Sequence, residues 1–365
     1  MVSPIPASGK LSGDFSFLEA IMTNTVTLIG IDLGKHCFHL HGQDAQGRMV
    51  FRKKLSRSQL LTQLANFPVC RVVMEACAGA HWIARRLLAM GHEAKLLSPQ
   101  FVKPFVQGNK NDFADAQAIC EAASRPSMRF VSPRNESQQT ISATHRVREA
   151  LVRDRTSSSN QIHAFLLEFG ISLPKGPAII KRLPAILAEH EGDLPPRLIA
   201  LIERLREHVK YLDEQIKAVE RELTQQLAED ERSQRLLEIP GVGPITASVL
   251  AVELGDAHQF ANARQFAASI GLVPRQHSTG GKPTLLGISK RGDKNLRRLL
   301  VQGARTLMQR VQARTDELGE WVRDLLCRRH SNVVACALAN KMARIAWAIL
   351  AKGTHYQSRS AVAVV

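Results

Sequence analysis

Short runs of β-branched and apolar residues alternate with stretches of helical period from Thr25 to about Arg125, the pattern of a mixed α/β domain. Val26 to Ile31 reads as the first strand and runs into a Gly-Lys turn. Phe38 to His41 and Met49 to Lys53 read as two more, and the polar turn Gln43 to Gly47 makes the group an antiparallel meander. Arg71 to Met74 is a short apolar strand, His81 to Met90 a helix, Ala94 to Leu97 a strand and Phe113 to Ala123 a helix.

Further on, the period changes. Gln138 to Phe169 is a long polar helix with a basic stretch from His145 to Arg155, followed by a loop through Pro174, Gly176 and Pro177. Leu198, Ile202, Leu205, Val209, Leu212, Ile216, Val219 and Leu223 then recur in alternating steps of four and three, the heptad period of a coiled-coil seam. Two such helices can pair with each other or with a second copy, and the pattern does not choose. A third region opens with I-P-G-V-G-P (239–244) and stays helical to about Leu254 and again from Ala263 to Ile270. It then crosses a Gly-rich loop, Ser278 to Gly287, and ends in two long helices, Asp293 to Arg314 and Asn332 to Ala351, punctuated by Gly319. The expected division is a tail 1–24, an α/β domain 25–135, a helical coiled-coil region 136–232 and a helical C-terminal domain 233–355, in a chain of 365 residues that is too long for one core.

Charge changes this picture through its distribution. The formal net charge is +16, and from Ala261 onward 18 Lys and Arg stand against 5 Asp and Glu. Such an excess favours a polyanion through release of its counterions, so the last third should touch nucleic acid; a merely solubilising surface would intersperse both signs. The six cysteines, Cys37, Cys70, Cys77, Cys120, Cys327 and Cys336, form no C-x-x-C pair and no zinc-like spacing, which reads as reduced core thiols of an intracellular protein. The first 24 residues, rich in Ser, Pro and Gly with Met22 as a second candidate start, read as a disordered tail. The apolar stretch Val333 to Leu350 is interrupted by Lys341 and Arg344, so neither export nor a membrane span is expected.

Candidate chemistry lies in the acids. Asp32 ends the first strand and Glu75 ends the strand R-V-V-M-E, so two acids distant in the chain can converge at one sheet edge. In K-N-D-F-A-D-A-Q-A-I, Asp112 and Asp115 are three apart at a helix start and share its face. Carboxylates from two strands and a helix would bind hard, oxygen-seeking Mg²⁺ or Mn²⁺, and a pair of such ions stabilises attacking and leaving oxygens in phosphodiester displacement. Singly, each acid has a plainer explanation: a turn cap for Asp32, an ion pair with Arg85 for Glu75, a helix N-cap for Asp112. As a set on this strand pattern they point to phosphoryl transfer.

The same segments resemble a known family. G-I-D-L-G-K, V-M-E-A-C-A-G and K-N-D-F-A-D-A-Q-A-I are similar to the carboxylate motifs of the DEDD-type insertion-sequence transposases, the insertion sequence 110 family. L-E-I-P-G-V-G-P-I-T-A, F-A-A-S-I-G-L-V-P-R, H-S-T-G-G-K and I-S-K-R-G-D-K-N-L-R-R-L-L resemble its C-terminal motifs in the same order, and the resemblance runs from about Leu28 to Leu350. It implies a ribonuclease H-like (RuvC-like) α/β domain, a helical coiled-coil insertion, and a helical C-terminal transposase domain with a helix-hairpin-helix-like element. It also implies that Asp32, Glu75, Asp112 and Asp115 are catalytic and hold Mg²⁺ or Mn²⁺. The nucleophile falls in H-S-T-G-G, at Ser278 or, by another alignment, Thr279. The implied function is cut-and-rejoin recombination of donor and target DNA through a phosphoserine link, at sites chosen by a non-coding bridge RNA. A homo-oligomer, dimer or tetramer, would bring the acids of one subunit to the serine of another, in the bacterial cytoplasm and at the nucleoid when bound to DNA.

Arg275, Lys282, Lys290 and Arg291 lie close enough to Ser278 in sequence to supply cations to a pentavalent phosphate. P-G-V-G-P followed by a helix looks like a helix-hairpin-helix element, whose Gly241 and Gly243 let backbone N–H groups approach a phosphate; a tight interhelical turn fits equally well. Arg297 and Arg298 begin a basic helix suited to nucleic-acid backbones. His36, Cys37, His39 and His41 are close in sequence, but strand alternation puts His39 and His41 on one face and His36 with neither, which reads as a surface face and not a zinc site. Trp82, Trp321 and Trp347, in apolar helices, read as core. On the residues alone two rivals stay open: a metal-dependent junction nuclease that uses water, and a catalytically silent nucleic-acid-binding protein.

Overall fold

Residues 25–107, 111–176 and 178–358 are described by the structure, a computed structural model. The expected disordered tail lies outside the described residues. Two compact units make up the chain, the first ending at Asn135 and the second beginning at Glu136.

In the first unit, strands β1 (Leu28–Leu33), β2 (Cys37–Gln43) and β3 (Met49–Ser56) form the expected meander. Strands β4 (Arg71–Glu75) and β5 (Glu93–Leu97) add on parallel to β1, and the two-residue β6 (Phe130–Val131) closes the far edge antiparallel. The order is β3-β2-β1-β4-β5-β6, a mixed sheet compatible with the ribonuclease H-like expectation. Helix α1 (Arg57–Ala65), absent from the sequence reading, starts directly after β3 because Ser56 and Gln59 close a capping box. Helix α2 (Ala80–Ala89) makes the crossover that parallel β4 and β5 require.

Period-two alternation then sorts the side chains between two layers of helix. Ile29, Ile31, Phe38, Leu40, Val72 and Met74 pack against Leu60 and Leu64 of α1 and Ile83 and Leu87 of α2. Leu28, Val73 and Leu97 face the other way, under Ile119, Cys120 and Ala122 of helix α3 (Asp112–Ala123). By the same parity Gly30, Asp32, His39, His41 and Glu75 belong to the α3 side. The shared face of His39 and His41 is as expected, but its assignment to the surface is corrected: α3 covers it, leaving His39 8% and His41 3% exposed.

Other expectations are corrected by position at the margins of these layers. Trp82 is exposed at the start of α2, with the Arg57 guanidinium 5.6 Å from its ring, because it points away from the face that Ile83 and Leu87 bury. All six cysteines are free, but only Cys70 and Cys120 are buried; Cys77 lies past the end of β4 and is exposed, as is Cys327.

In the second unit, α4 (Glu136–Leu167) and α6 (Pro196–Ala228) pair with each other, the choice the heptads left open. They run antiparallel, since Arg148 bonds Glu220 and Arg155 bonds Asp213, each at 2.8 Å. Helix α5 (Ile179–Glu189), absent from the sequence reading, buries Ile180, Leu183 and Leu187 against Ile162, Leu166 and Ile202. Helices α7 (Pro244–Leu254), α8 (Ala263–Ser269), α9 (Lys294–Gln309), α10 (Glu317–Arg328) and α11 (Ser331–Lys352) surround a separate core that includes Leu250, Phe266, Leu300, Leu338 and Met342. Gly319 does not punctuate this region: it sits in the first turn of α10, where its N–H reaches the capping Asp316 at 3.0 Å and a side chain would strike Arg314. Helix α11 is long and apolar enough by composition to cross a membrane, yet Val334, Leu338, Met342 and Ala346 belong to the core of this unit.

His145 joins α4 to α7 through its Nε2, 3.0 Å from Ser248 Oγ. Burial, aided by Arg148 and opposed by Asp293, pushes its pKa from an ordinary 6.5 down to about 4. The unfolded chain therefore binds more protons between these values, so the stability His145 contributes is complete above pH 6.5 and is lost as pH falls toward 4. Relative to His145→Gln, the wild-type chain should lose roughly 2–3 kcal/mol across that window in denaturant titrations at a series of pH values. Parallel curves for the two proteins would refute this.

Candidate active site

Asp32 and Glu75 stand one position beyond the last paired rung of β1 and β4, Ile31 and Met74, and leave the sheet on the α3 side. The third and fourth acids come down onto that side from the start of α3. Asn111, not Asp112, is the N-cap, its side chain accepting the Phe113 N–H at 2.9 Å, so Asp112 is spared for other work. The alternative partner for Glu75 is also engaged elsewhere: Arg85 donates to the Arg134 carbonyl at 2.9 Å.

Electrostatics register the proximity of three of the four, Glu75, Asp32 and Asp115. The Glu75 carboxyl is held above the ordinary carboxylate range, first by burial and then by the charges of Asp32 and Asp115. The thiol of Cys77 beside it is likewise pushed up, by partial burial and by Glu75 and Asp32. Asp32 and Asp112 offer ligand atoms within 4.8 Å of each other, together with His39. A concentration of like charge on a half-covered sheet face is what a divalent cation relieves, and the oxygen-rich donor set suits Mg²⁺ or Mn²⁺. The sequence reading had set His39 aside; counting back through the Gly34 to His36 turn pairs it with Asp32 and was the signal that could have found it.

Close approach of α3 depends on Gly30. A Cβ there would lie 2.4 Å from the Ala116 carbonyl oxygen and 2.7 Å from Cys120 Sγ, so only glycine lets the helix sit this near β1. Cys120 Sγ in turn donates to the His41 carbonyl at 3.3 Å, and burial raises its pKa to about 12, keeping it a thiol.

The second group of candidates lies on a hairpin where a loop was expected. Strands β7 (Pro274–Gln276) and β8 (Leu285–Ile288) pair antiparallel, and Thr279 bridges Lys282 around Gly280 and Gly281. Both glycines have positive φ, +56° and +77°, the requirement of a two-residue hairpin turn; T-G-G-K carried that signal in the sequence. Ser278 is exposed, and its Oγ accepts from Gln276 Nε2 at 2.8 Å and from the Thr284 N–H at 3.3 Å. Two donors aimed at one oxygen hold the hydroxyl in place on the hairpin. Arg275, Lys282, Lys290 and Arg291 are all exposed around this hairpin and its base.

The remaining cations and glycines do different things. Arg297 donates to the carbonyls of Ile270 and Arg291 at 2.9 and 2.7 Å, tying the start of α9 to the loop below the hairpin. Arg298 bonds Asn295. Gly241, at φ +86°, lies against the Gly303 carbonyl of α9, where a Cβ would come within 2.8 Å, so its close approach is to a helix backbone. Gly243 has open space around it.

Comparison with known proteins follows the same two blocks. A DEDD transposase family model of the IS110 type matches residues 29–171, and a model described as Transposase IS116/IS110/IS902 family matches residues 233–320. The transposase for insertion sequence element IS1328 of Yersinia enterocolitica is 62% identical, over 90% of this chain and 98% of its own length. A probable family 20 transposase of Pseudomonas aeruginosa is 47% identical over 90% of this chain and 98% of its own. The transposase for insertion sequence element IS1111A of Coxiella burnetii is 43% identical over 91% and 92%.

Proposed function

The chain belongs to the IS116/IS110/IS902 family of insertion-sequence transposases, and on that premise we propose that it cuts and rejoins DNA by metal-assisted attack of Ser278 on a phosphodiester, at sites chosen by a non-coding bridge RNA. The observation that carries the metal-assisted part is the clustering of charge around Asp32: Glu75, raised first by burial, is raised further by Asp32 and Asp115, and Asp32 offers a ligand atom within 4.8 Å of one from Asp112. Asp32, Glu75, Asp112 and Asp115 would hold the metal. Bound there, it would stabilise charge on the attacking and leaving oxygens of the displacement.

Ser278 Oγ forms a bond to phosphorus while one sugar oxygen leaves with a proton; the reverse displacement rejoins a strand and frees the hydroxyl. The donors from Gln276 and Thr284 fall on Ser278 and support it over Thr279. Arg275, Lys282, Lys290 and Arg291 offset the charge of the pentavalent phosphate and grip the backbone. The acids and the serine belong to different units of the chain, and we read the α4–α6 pair as the coiled-coil element that assembles a dimer or tetramer, so that one subunit's acids serve another's serine. Its setting is the bacterial cytoplasm, on nucleoid DNA.

Trapping tests this. The full-length chain, incubated with insertion-sequence end DNA, the element's flanking non-coding RNA and Mn²⁺ and then denatured, should yield a protein–DNA adduct that peptide mapping places at Ser278. Ser278→Ala should abolish the adduct and Thr279→Ala should retain it. Nicked DNA with no adduct in the wild type would assign the attack to water, as in a junction nuclease.

A further inference from the structure

Beside Asp32 and Asp112 stands a nitrogen donor that the carboxylate motifs do not include. His39 on β2 is the direct cross-strand partner of Asp32 on β1, so the two side chains rise from the sheet side by side. The first turn of α3 closes over them and brings Asp112 Oδ2 to 3.5 Å from His39 Nδ1. One ligand atom from each of Asp32, His39 and Asp112 lies within 4.8 Å of the other two.

Packing fixes the imidazole. Its ring meets Phe113 edge-on, centroids 4.8 Å apart and planes at 80°, and the residue is 8% exposed. A buried ring on a strand, held by the residue that follows Asp112, keeps one orientation while the exposed Asp112 carboxylate can adjust to it. The 3.5 Å separation is long for an N–H···O bond, whose usual range ends at about 3.2 Å. It falls between the spacings of about 3 Å and about 4.2 Å that adjacent and opposite ligands adopt around an ion bound at about 2.1 Å.

We propose that His39 supplies an imidazole nitrogen to the metal that the acids hold, making one ion position a mixed carboxylate–imidazole site. This rests on the reading of Asp32, Glu75, Asp112 and Asp115 as metal ligands. A nitrogen donor favours a transition ion over Mg²⁺, so Mn²⁺ should bind this protein more tightly than Mg²⁺ and depend on His39 more strongly.

Pulsed electron paramagnetic resonance of Mn²⁺ bound to the full-length chain reads the bond directly, without DNA or turnover. Directly coordinated nitrogen should give a ¹⁴N coupling that changes to the ¹⁵N pattern when histidine is isotopically labelled. It should vanish in His39→Gln and persist in His41→Gln, since His41 lies on the same face with an Nδ1 that has no hydrogen-bond partner among the described residues. Mn²⁺ affinity should fall roughly 10-fold in His39→Gln, with a smaller effect on Mg²⁺. Wild-type Mn²⁺ coupled only to oxygen ligands and water would overturn the proposal, as would a nitrogen coupling that survives His39→Gln. Should that variant fail to fold, the labelled wild-type spectrum still decides whether nitrogen is bound. Asp32→Asn separates the two layers of the argument. Mn²⁺ binding unchanged in it removes the acid site itself, whereas binding lost in Asp32→Asn but untouched in His39→Gln removes His39 alone.

Discussion

Asp32→Asn should lower metal-dependent strand cleavage on the order of 10³-fold or more, equivalent to several kcal/mol of lost transition-state stabilisation, while the fold stays at least as stable as before. Asparagine keeps the shape of the side chain and removes the charge that a divalent ion needs. The stability half follows from Glu75, whose carboxyl is held up partly by Asp32; removing one of two like charges relieves that repulsion. Melting in metal-free buffer should therefore show an unchanged or higher Tm, and added Mn²⁺ should raise the wild-type Tm more than the variant's. Cleavage within threefold of wild type would exclude Asp32 from the site. A collapsed Tm would mean that the carboxylate is structural.

Gly30→Ala should destabilise the protein toward the upper end of the roughly 1–3 kcal/mol typical of overpacking, and should weaken catalysis beyond what lost folded protein explains. The added methyl would sit 2.4 Å from a helix carbonyl, which cannot rotate aside as a flexible side-chain tip could. Relief comes only by moving α3, and Asp112 lies one helical turn before Ala116, so the shift displaces its carboxylate. A misplacement of about 1 Å at a reacting centre can cost on the order of 10²-fold in rate. Cys120→Ala in the same chain should recover only part of the loss, since it removes the 2.7 Å sulfur contact and leaves the carbonyl. Gly192→Ala, with nothing near its added Cβ, is the control and should change stability by less than about 0.5 kcal/mol. Equal Tm and activity in Gly30→Ala and Gly192→Ala would show that α3 does not need its present distance from β1.

Particular residues show where the sequence was readable. The meander was legible because Phe38, Leu40 and their polar neighbours alternate with a two-residue period, and α6 because eight apolar residues keep a heptad. Helix α5 was hidden by the Pro and Gly before it, although Ile180, Leu183 and Leu187 keep helical spacing. The β7–β8 hairpin was hidden for the opposite reason: residues 274–287 are exposed throughout, so no apolar stripe marked its strands and only Gly280-Gly281 announced the turn. His39 was misjudged because alternation tells which residues share a face and is silent on what covers it.

Local periodicity and chemical type, both written along the chain, were enough to determine the mixed sheet, the long helices and the basic C-terminal third, and to single out the candidate acids. Burial of an apolar stripe is a short-range demand that each segment meets with its own residues. Tertiary structure alone decided that Asp32 lies opposite His39, that α3 lands on that face at the distance a bare Gly30 permits, that the two long helices turn to each other, and that Ser278 stands on a solvent-facing hairpin. Those outcomes depend on strand register and on contacts between residues far apart in sequence, where a shift of one position or about one ångström changes the result and leaves the local pattern as it was.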